Sequence, residues 1–212
     1  MFPFEEIANA LIVGNSEKVR ELTQAAIDQD VDLKTLIDRS FMPGMDTVSE
    51  KFRNNEYYVP QVLFAARAMQ TGLDLIKPLL TGKDNVYLGK VVIGTSRGDM
   101  HDIGKNIVAM MLAGAGFEVV DLGTDISPQR FVQAVLDESP QLIGISSLMT
   151  TTMPAMKETI DQLKSAGLRD NVKVIIGGAP VTQEFAQEIG ADGYAQDGAK
   201  GTDLAKELIK KK

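Results

Sequence analysis

The sequence of 212 residues has no cysteine and one histidine, His101. Without cysteine the chain can form neither disulfides nor thiolate metal sites, and such a composition favours an intracellular protein. Zinc sites in proteins take several cysteine, histidine or carboxylate ligands, so a zinc site built from protein side chains is not expected. The role of the one imidazole is therefore the first question that the sequence raises.

Excess positive charge and long apolar runs are missing too. The 22 lysine and arginine residues are outnumbered by 29 aspartate and glutamate residues, for a formal net charge of −7. Nucleic-acid backbones require the opposite balance. No apolar run approaches the ~20 residues of a membrane span, and the start, MFPFEEIANALIVGN, lacks the basic region of a signal peptide. We expect a cytoplasmic protein with neither nucleic-acid nor membrane partners.

The first 85 residues carry apolar side chains spaced three and four apart, which is typical of amphipathic helices. We predict five helices: Ser16 caps the second, Asp32 caps the third, the fourth begins near Pro43 and the fifth follows 54-NNEYYVP-60. The linkers between them are short, which suits antiparallel neighbours. This half is predicted to be a small helical bundle.

The rest of the chain alternates short apolar runs with helical stretches. The predicted strands are 90–96, 117–123, 141–149, 172–178 and 192–197, and the predicted helices are 105–116, 127–139, 154–167, 182–190 and 201–212. This alternation predicts a flavodoxin-like or Rossmann-like, doubly wound, five-stranded parallel sheet. We expect a helical domain at 1–85 and an α/β domain at 86–212, joined through 81-TGKDNVYLG-89.

Three loops of the α/β half are candidates for a site. Ligands of such sheets bind beyond the carboxyl ends of the strands, where the strand order reverses. The loops 95–104, 146–155 and 177–180 follow the first, third and fourth predicted strands. Each is rich in glycine or hydroxyl groups, which let a backbone approach a ligand or donate hydrogen bonds to it. We expect all three to meet at one edge.

The histidine lies in the first of these loops, within 98-GDMHDIGKN-106. It could be an ordinary loop residue, with Asp99 capping a helix that starts near Gly104. A hydrolytic triad with Ser146 or Ser147 would lack the G-x-S-x-G elbow, and the dinucleotide fingerprint is absent. A solitary imidazole fits the role of axial ligand to a metal that a macrocycle already holds, with the carboxylate two residues earlier orienting the ring.

Three sequence elements carry a resemblance to a known family: Asp99, His101 and Gly104; then Ser146 and Leu148; then Gly177 and Gly178. This D-x-H-x-x-G, S-x-L, G-G pattern resembles that of cobalamin-binding proteins. The stretches 99-DMHDIGKNIV-108 and 58-YVPQVLFAARAM-69 look like the cobalamin-binding and cap segments of cobalamin-dependent methionine synthase. A helical cap followed by a corrinoid domain is the layout of small corrinoid proteins in methylamine, methanol, betaine and aromatic O-demethylase methyltransfer systems.

The resemblance implies roles for individual residues. His101 is expected to replace the cofactor's own lower base as the cobalt ligand, oriented by Asp99, with Thr152 as a further hydroxyl in the relay. Upper-face cover is expected from Tyr58, Val59 and Leu63, which would limit access of water and oxygen. The other residues expected to bind the cofactor or its displaced nucleotide tail are Met100, Asp102, Gly104, Ser146, Leu148, Thr150, Gly177, Gly178 and Tyr194.

The implied function is that of a methyl carrier with no catalytic residue of its own. The cofactor would be cobalamin or a related corrinoid, cycling between cobalt(I) and methyl-cobalt(III). The expected partners are a substrate-specific methyltransferase, a second methyltransferase acting on tetrahydrofolate or a thiol, and a reductive activation protein. The alternatives left open are a corrinoid-binding sensor or regulatory module, the cobalamin-binding subunit of an adenosylcobalamin mutase, and a degenerate domain that has lost its cofactor.

Overall fold

Amphipathic helices form the N-terminal half, as the spacing of its apolar residues predicts. The computed structural model describes residues 2–79 and 87–210, so most of the expected linker 81–89 lies outside the described residues. The helices are α1 (Phe4–Ile12), α2 (Ser16–Asp28), α3 (Leu33–Leu36), a π-helical turn (Ile37–Phe41), α4 (Met42–Arg53), α5 (Val59–Ile76) and a short 3₁₀ turn (Lys77–Leu79).

Of two predicted N-cap residues in this half, the structure confirms one and contradicts the other. The Asp32 carboxylate accepts the backbone N–H of Thr35 at 2.7 Å, so it caps α3 as predicted. The predicted cap of α2 is wrong: Ser16 is already the first helical residue. Its predecessor Asn15 accepts the backbone N–H of Lys18 at 3.0 Å. Asparagine and serine cap about equally well, so composition alone could not choose between the two neighbours.

The helical bundle packs chiefly through α2 and α5. Gly72 of α5 lies against Phe41, whose ring would collide with any side chain at that position. The large aromatic ring therefore fills the space beside a helix that has no Cβ there. The buried faces of the two helices are Val19, Leu22, Thr23 and Ala26 of α2, and Val62, Ala65, Ala68, Met69, Gly72, Leu73 and Ile76 of α5.

A parallel sheet forms the second half and confirms the predicted fold class. Its strands are β1 (Lys90–Thr95), β2 (Glu118–Asp121), β3 (Leu142–Ser146), β4 (Lys173–Gly177) and β5 (Gly193–Ala195), paired in the order β2-β1-β3-β4-β5. The intervening helices are α6 (Ile103–Gly114), α7 (Pro128–Glu138), α8 (Pro154–Ser165), α9 (Gln183–Ile189) and α10 (Gly198–Lys210), with a 3₁₀ turn at Arg169–Asn171.

The central strands are almost wholly buried, because helices cover the sheet. The strand order is that of flavodoxin-like folds, which reverses between β1 and β3. One hydrophobic cluster of buried side chains includes Val92, Phe131, Ile143, Met156, Ile160, Val174 and Ile176.

The chain divides into two compact units. One comprises Met1–Tyr87 with Ala113–Gly116, and the other comprises Leu88–Leu112 with Phe117–Lys212. None of the helices within residues 2–79 and 87–210 has both the length and the apolar character needed to cross a membrane.

Candidate functional site

The carboxyl ends of three adjacent strands meet at one edge of the sheet, as the sequence predicts. Thr95 at the end of β1 pairs with Ser146 at the end of β3, and Ser146 pairs with Gly177 at the end of β4. Hydrogen bonds extend past the strands, from Ser96 N–H to the Ser146 carbonyl at 2.9 Å and from Ser147 N–H to the Gly177 carbonyl at 3.0 Å. The loops that follow are therefore fixed against one another where they leave the sheet.

The imidazole of His101 is held by a buried carboxylate. Asp99 Oδ1 lies 2.7 Å from His101 Nδ1 and accepts the His101 backbone N–H at 3.0 Å. The Asp99 side chain is fully buried, whereas that of His101 is 54% exposed. An ionised carboxylate can only accept, so Nδ1 carries the proton and the lone pair of the neutral ring lies on Nε2. The ring thus presents one metal-binding nitrogen.

The other carboxylate oxygen of Asp99 connects this loop to the loop after β3. Oδ2 accepts the Leu148 backbone N–H at 2.7 Å and the Thr152 hydroxyl at 2.9 Å. The hydroxyls of Ser147 and Thr152 lie 2.6 Å apart, so Ser147 extends the chain of hydrogen bonds one residue further. Since these bonds use both oxygens, the alternative in which Asp99 caps a helix is not realised.

These contacts determine the ionisation of Asp99. Burial raises the pKa of its carboxyl. The hydrogen bonds from the Leu148 and His101 backbone N–H groups, the imidazole and the Thr152 hydroxyl outweigh that effect and hold the pKa well below its ordinary value of 3.8. Asp99 is therefore an anion at neutral pH and a strong acceptor for the imidazole N–H.

The three motif glycines have very different surroundings. A Cβ on Gly178, whose φ is +131°, would overlap the Ser147 carbonyl oxygen and lie 2.7 Å from its carbon. One on Gly177 would lie 2.8 Å from the carbonyl oxygen of Ala195. One on Gly104 would meet nothing within 4 Å. Two of the glycines are thus required by the fold itself, whereas Gly104 faces open space.

The remaining predicted site residues are distributed around this edge or lie beside it. Met100 and Asp102 are exposed in the His101 loop, and Asp102 Oδ2 accepts the side-chain amide of Asn106 at 3.1 Å. Thr150 is exposed in the loop after β3. Tyr194 lies on β5, where its partly buried side chain packs against the core of the sheet.

The three candidates for upper-face cover lie in the helical unit. Tyr58 precedes α5, is 62% exposed, and donates its backbone N–H to Gln61 Oε1 at 3.0 Å. Val59 and Leu63 are partly exposed within the first turns of α5.

Sequence reasoning missed the loop after β2, although β2 is the other neighbour of β1. Thr95 N–H donates to the Gly123 carbonyl at 3.0 Å, and Ile126 N–H donates to the Thr95 carbonyl at 2.9 Å. Asp125 N–H donates to the Asp99 carbonyl at 3.0 Å. The sequence carried a signal for it, because all carboxyl ends of a parallel sheet share one edge and this loop, residues 122–127, carries a glycine and three polar residues.

An ion pair between a buried lysine and an exposed aspartate lies at the same edge. Only 1% of the Lys105 side chain is exposed, and its Nζ lies 2.5 Å from Asp121 Oδ2 and 2.6 Å from Asn106 Oδ1. Asp121 also accepts the Gly123 N–H at 2.8 Å. The pair therefore joins the first turn of α6 to the end of β2. Within the described residues, no group of three or more carboxylate, histidine or cysteine side chains is placed to hold a metal ion.

Comparison with known families gives two matches, both described as B12 binding domain. One family model matches residues 89–202 and the other matches residues 3–77. The chain belongs to the family of B12-binding corrinoid proteins.

Relatives of this family match along nearly the whole chain. A corrinoid protein of Desulfitobacterium hafniense is 40% identical over 210 residues, 98% of this chain and 97% of its own. Trimethylamine corrinoid protein 1 of Methanosarcina acetivorans is 45% identical over 196 residues, 92% of this chain and 89% of its own.

Solved structures of the family share the fold. A cobalamin-binding protein of Desulfitobacterium hafniense superposes with a TM-score of 0.77 at 33% identity, over 98% of this chain and 99% of its own. A chain of the methanol:cobalamin methyltransferase complex MtaBC of Methanosarcina barkeri gives 0.88 at 35% identity, over 99% of this chain and 80% of its own. The cofactor of the present corrinoid protein is accordingly cobalamin or a related corrinoid.

The residues at the sheet edge fit such a group. A corrin ring supplies the equatorial ligands of cobalt, so the protein needs to provide a single nitrogen, and His101 presents one. Exposed apolar side chains lie in the same two loops and at the start of α6: Met100 is 69%, Ile103 76%, Leu148 44% and Met149 36% exposed. Exposed apolar side chains of this kind suit the face of a large ring. Ile103 and Met149 were not among the residues that the sequence singled out.

Proposed function

We propose that this corrinoid protein carries a methyl group between a substrate-specific methyltransferase and a second methyltransferase that acts on tetrahydrofolate or a thiol. The cobalt of the bound corrinoid supplies the atom on which the methyl group travels. The observation that carries the proposal is the pair formed by buried Asp99 and exposed His101, which leaves Nε2 as the donor for the lower face of the cobalt.

Relatives that match this chain along most of their own length support the two proposed methyltransferase partners. The names of similar chains specify trimethylamine and dimethylamine corrinoid proteins, and a similar solved chain belongs to a complex named as a methanol:cobalamin methyltransferase. We extend that partnership to this chain, with a reductive activation protein to restore oxidised cobalt. Substrate activation then belongs to the partners, and this chain contributes the lower ligand and the binding site.

Individual residues take the following parts in the proposal. Asp99 orients the imidazole and, through its negative charge, strengthens Nε2 as a donor; Thr152 and Ser147 hold Asp99 in place. Met100, Ile103, Leu148 and Met149 contact the corrin face. Gly104 leaves room for the nucleotide tail, whose path is bordered by Asp102, Ser146, Thr150, Gly177, Gly178 and Tyr194.

The helical half is the cap in this proposal. We assign residues 1–85 to a cap domain and 86–212 to the corrinoid domain. Tyr58, Val59 and Leu63 are exposed or partly exposed on their unit, so their side chains are available to shield the upper face from water and oxygen.

An absorbance experiment tests the lower ligand. Wild type and His101→Ala are incubated with hydroxocobalamin, desalted and scanned, and free imidazole is then added to the variant. We expect both proteins to retain the corrinoid, with bands that shift in His101→Ala and return with imidazole. Identical spectra would remove His101 from the cobalt, and retention of no corrinoid by wild type would refute the binding site itself.

A transfer experiment tests the carrier role. The loaded protein is reduced, methylated with methyl iodide and mixed with purified methyltransferases that use tetrahydrofolate or a thiol as acceptor. We expect one of these to remove the methyl group at a rate far above that of the uncatalysed reaction. A protein that binds corrinoid through His101 but gives up no methyl group to either acceptor class would favour the sensor alternative.

A further inference from the structure

The loop between β2 and α7 braces the loop that carries His101. Beyond the last paired residues of the sheet, Ile126 forms an isolated bridge with Ser96. Two further hydrogen bonds follow, and both come from Asp125. Its carboxylate Oδ1 accepts the Gly98 N–H at 2.7 Å, and its own N–H donates to the Asp99 carbonyl at 3.0 Å.

Asp125 therefore holds the backbone on both sides of the peptide that joins Gly98 to Asp99. That peptide determines where the Cα of Asp99 lies, and the Asp99 carboxylate in turn sets the orientation of the imidazole. Gly98 has a φ of +83°, a conformation that the rest of the chain must maintain because glycine itself has many alternatives. A bond to its N–H removes that freedom.

Asp125 also occupies an unusual conformation, with a φ of +54°. Residues other than glycine enter this left-handed region at a cost, and aspartate and asparagine tolerate it best. The bend it makes directs both its N–H and its side chain toward the His101 loop, so the conformation and the two hydrogen bonds belong together.

We propose that Asp125 is a positioning residue for the lower cobalt ligand: it fixes the Gly98–Asp99 peptide and, through Asp99, the ring of His101. The part of this inference that concerns the cobalt rests on the function proposed above. The part that concerns the loop does not. The role needs a residue that tolerates a left-handed backbone and whose side chain carries an acceptor oxygen. Asparagine meets both requirements without the negative charge of aspartate.

Three substitutions separate the hydrogen bond from backbone strain and from charge. Asp125→Ala removes the acceptor, and Asp125→Asn keeps it without the negative charge. Asp30→Ala is the matched control, because Asp30 is also exposed, has a φ of +52°, and lies in the helical unit between α2 and α3. Alanine there has the same left-handed backbone cost, and Asp30 belongs to the other compact unit of the chain.

The first readout uses the protein without corrinoid and exploits its one histidine. In protein labelled with ¹⁵N-histidine, the Nδ1–H held by Asp99 gives a single imidazole signal. We expect that signal to broaden or vanish in Asp125→Ala and to persist in Asp125→Asn and Asp30→Ala. Amide exchange of Gly98 should accelerate about ten- to hundredfold in Asp125→Ala, the effect of losing one charge-assisted hydrogen bond, and clearly less in Asp125→Asn, which keeps a neutral hydrogen bond.

The second readout is the absorbance of the loaded protein. The spectra of wild type and His101→Ala define full and zero histidine ligation, and Asp125→Ala should fall between them while Asp125→Asn matches wild type. Unchanged Gly98 exchange and an unchanged Nδ1–H signal in Asp125→Ala would overturn the inference, as would equal losses in Asp125→Asn. If wild type and His101→Ala give identical spectra, the proposed ligation fails, and the ¹⁵N and exchange readouts still decide the role of Asp125.

Discussion

A methyl group added at Gly104 should stabilise the protein without corrinoid and weaken its binding of cobalamin. Gly104 is the second residue of α6, and an added Cβ meets nothing within 4 Å. Alanine is the better helix former by up to about 1 kcal/mol, and nothing in the structure opposes the gain. We therefore expect the free energy of unfolding of Gly104→Ala to rise by about 0.5–1 kcal/mol in urea.

Binding should change in the opposite direction, because the proposed tail path uses the space that the methyl group would fill. Overpacking by one methyl group in a close-fitting site costs about 1–3 kcal/mol, which lowers affinity roughly five- to 150-fold. The predicted pair of results, higher stability with lower affinity, is not what a damaged fold would give, since a damaged fold loses both.

The assay compares two corrinoids that differ only in the tail. Dissociation constants of wild type and Gly104→Ala are measured for cobalamin and for cobinamide, which lacks the nucleotide. We expect the loss with cobalamin and little or no loss with cobinamide. Equal affinity of both proteins for cobalamin would show that the tail does not pass Gly104, and an equal loss with both corrinoids would place the methyl group against the ring instead.

Three further predictions, which use four substitutions, test the edge of the sheet. Gly178→Ala should lower the free energy of unfolding by about 3–5 kcal/mol in urea, through a strained φ and overlap with the Ser147 carbonyl; a loss below about 1 kcal/mol would contradict this. Asp121→Ala should cost about 1–3 kcal/mol because it leaves buried Lys105 charged and poorly paired, whereas Lys105→Met should cost less than about 1 kcal/mol; the reverse order would refute the reasoning. Because the folded-state pKa of Asp99 is lowered, its stabilisation is complete above its unfolded pKa of about 4 and declines below it; Asp99→Asn should flatten the acid limb of unfolding measured against pH.

The sequence predicted the fold because local and global signals agree there. Each predicted strand is present, and the carboxyl ends of β1, β3 and β4 carry the loops that were singled out. Apolar runs of four to six residues between amphipathic helices have few other solutions than a covered parallel sheet. The wrong cap of α2 illustrates the limit: Asn15 and Ser16 are both good caps, and a one-residue shift depends on packing.

The sequence predicted those residues of the candidate site that belong to the motif, but not the contacts that hold them. The pairing of Asp99 with His101 could be expected from their spacing, but the Leu148 N–H, Ser147 and Asp125 could not. The Leu148 and Asp125 contacts join residues 49 and 27 positions apart, so they depend on the strand order and on how each loop leaves the sheet. Motif spacing carries no information about either.

The contacts of Asp99 indicate that the site is already ordered when the protein has folded, before any cofactor binds. Four donors reach its two oxygens at 2.7 to 3.0 Å, two from its own loop and two from the loop after β3. The Thr95 hydroxyl donates to the carbonyl of His101 at 2.9 Å, so the backbone of the proposed ligand residue is fixed as well. A loop held in this way has little conformational entropy left to lose, and the cost of orienting the imidazole is met during folding rather than during binding. Binding energy from the corrin and its tail can then go into affinity.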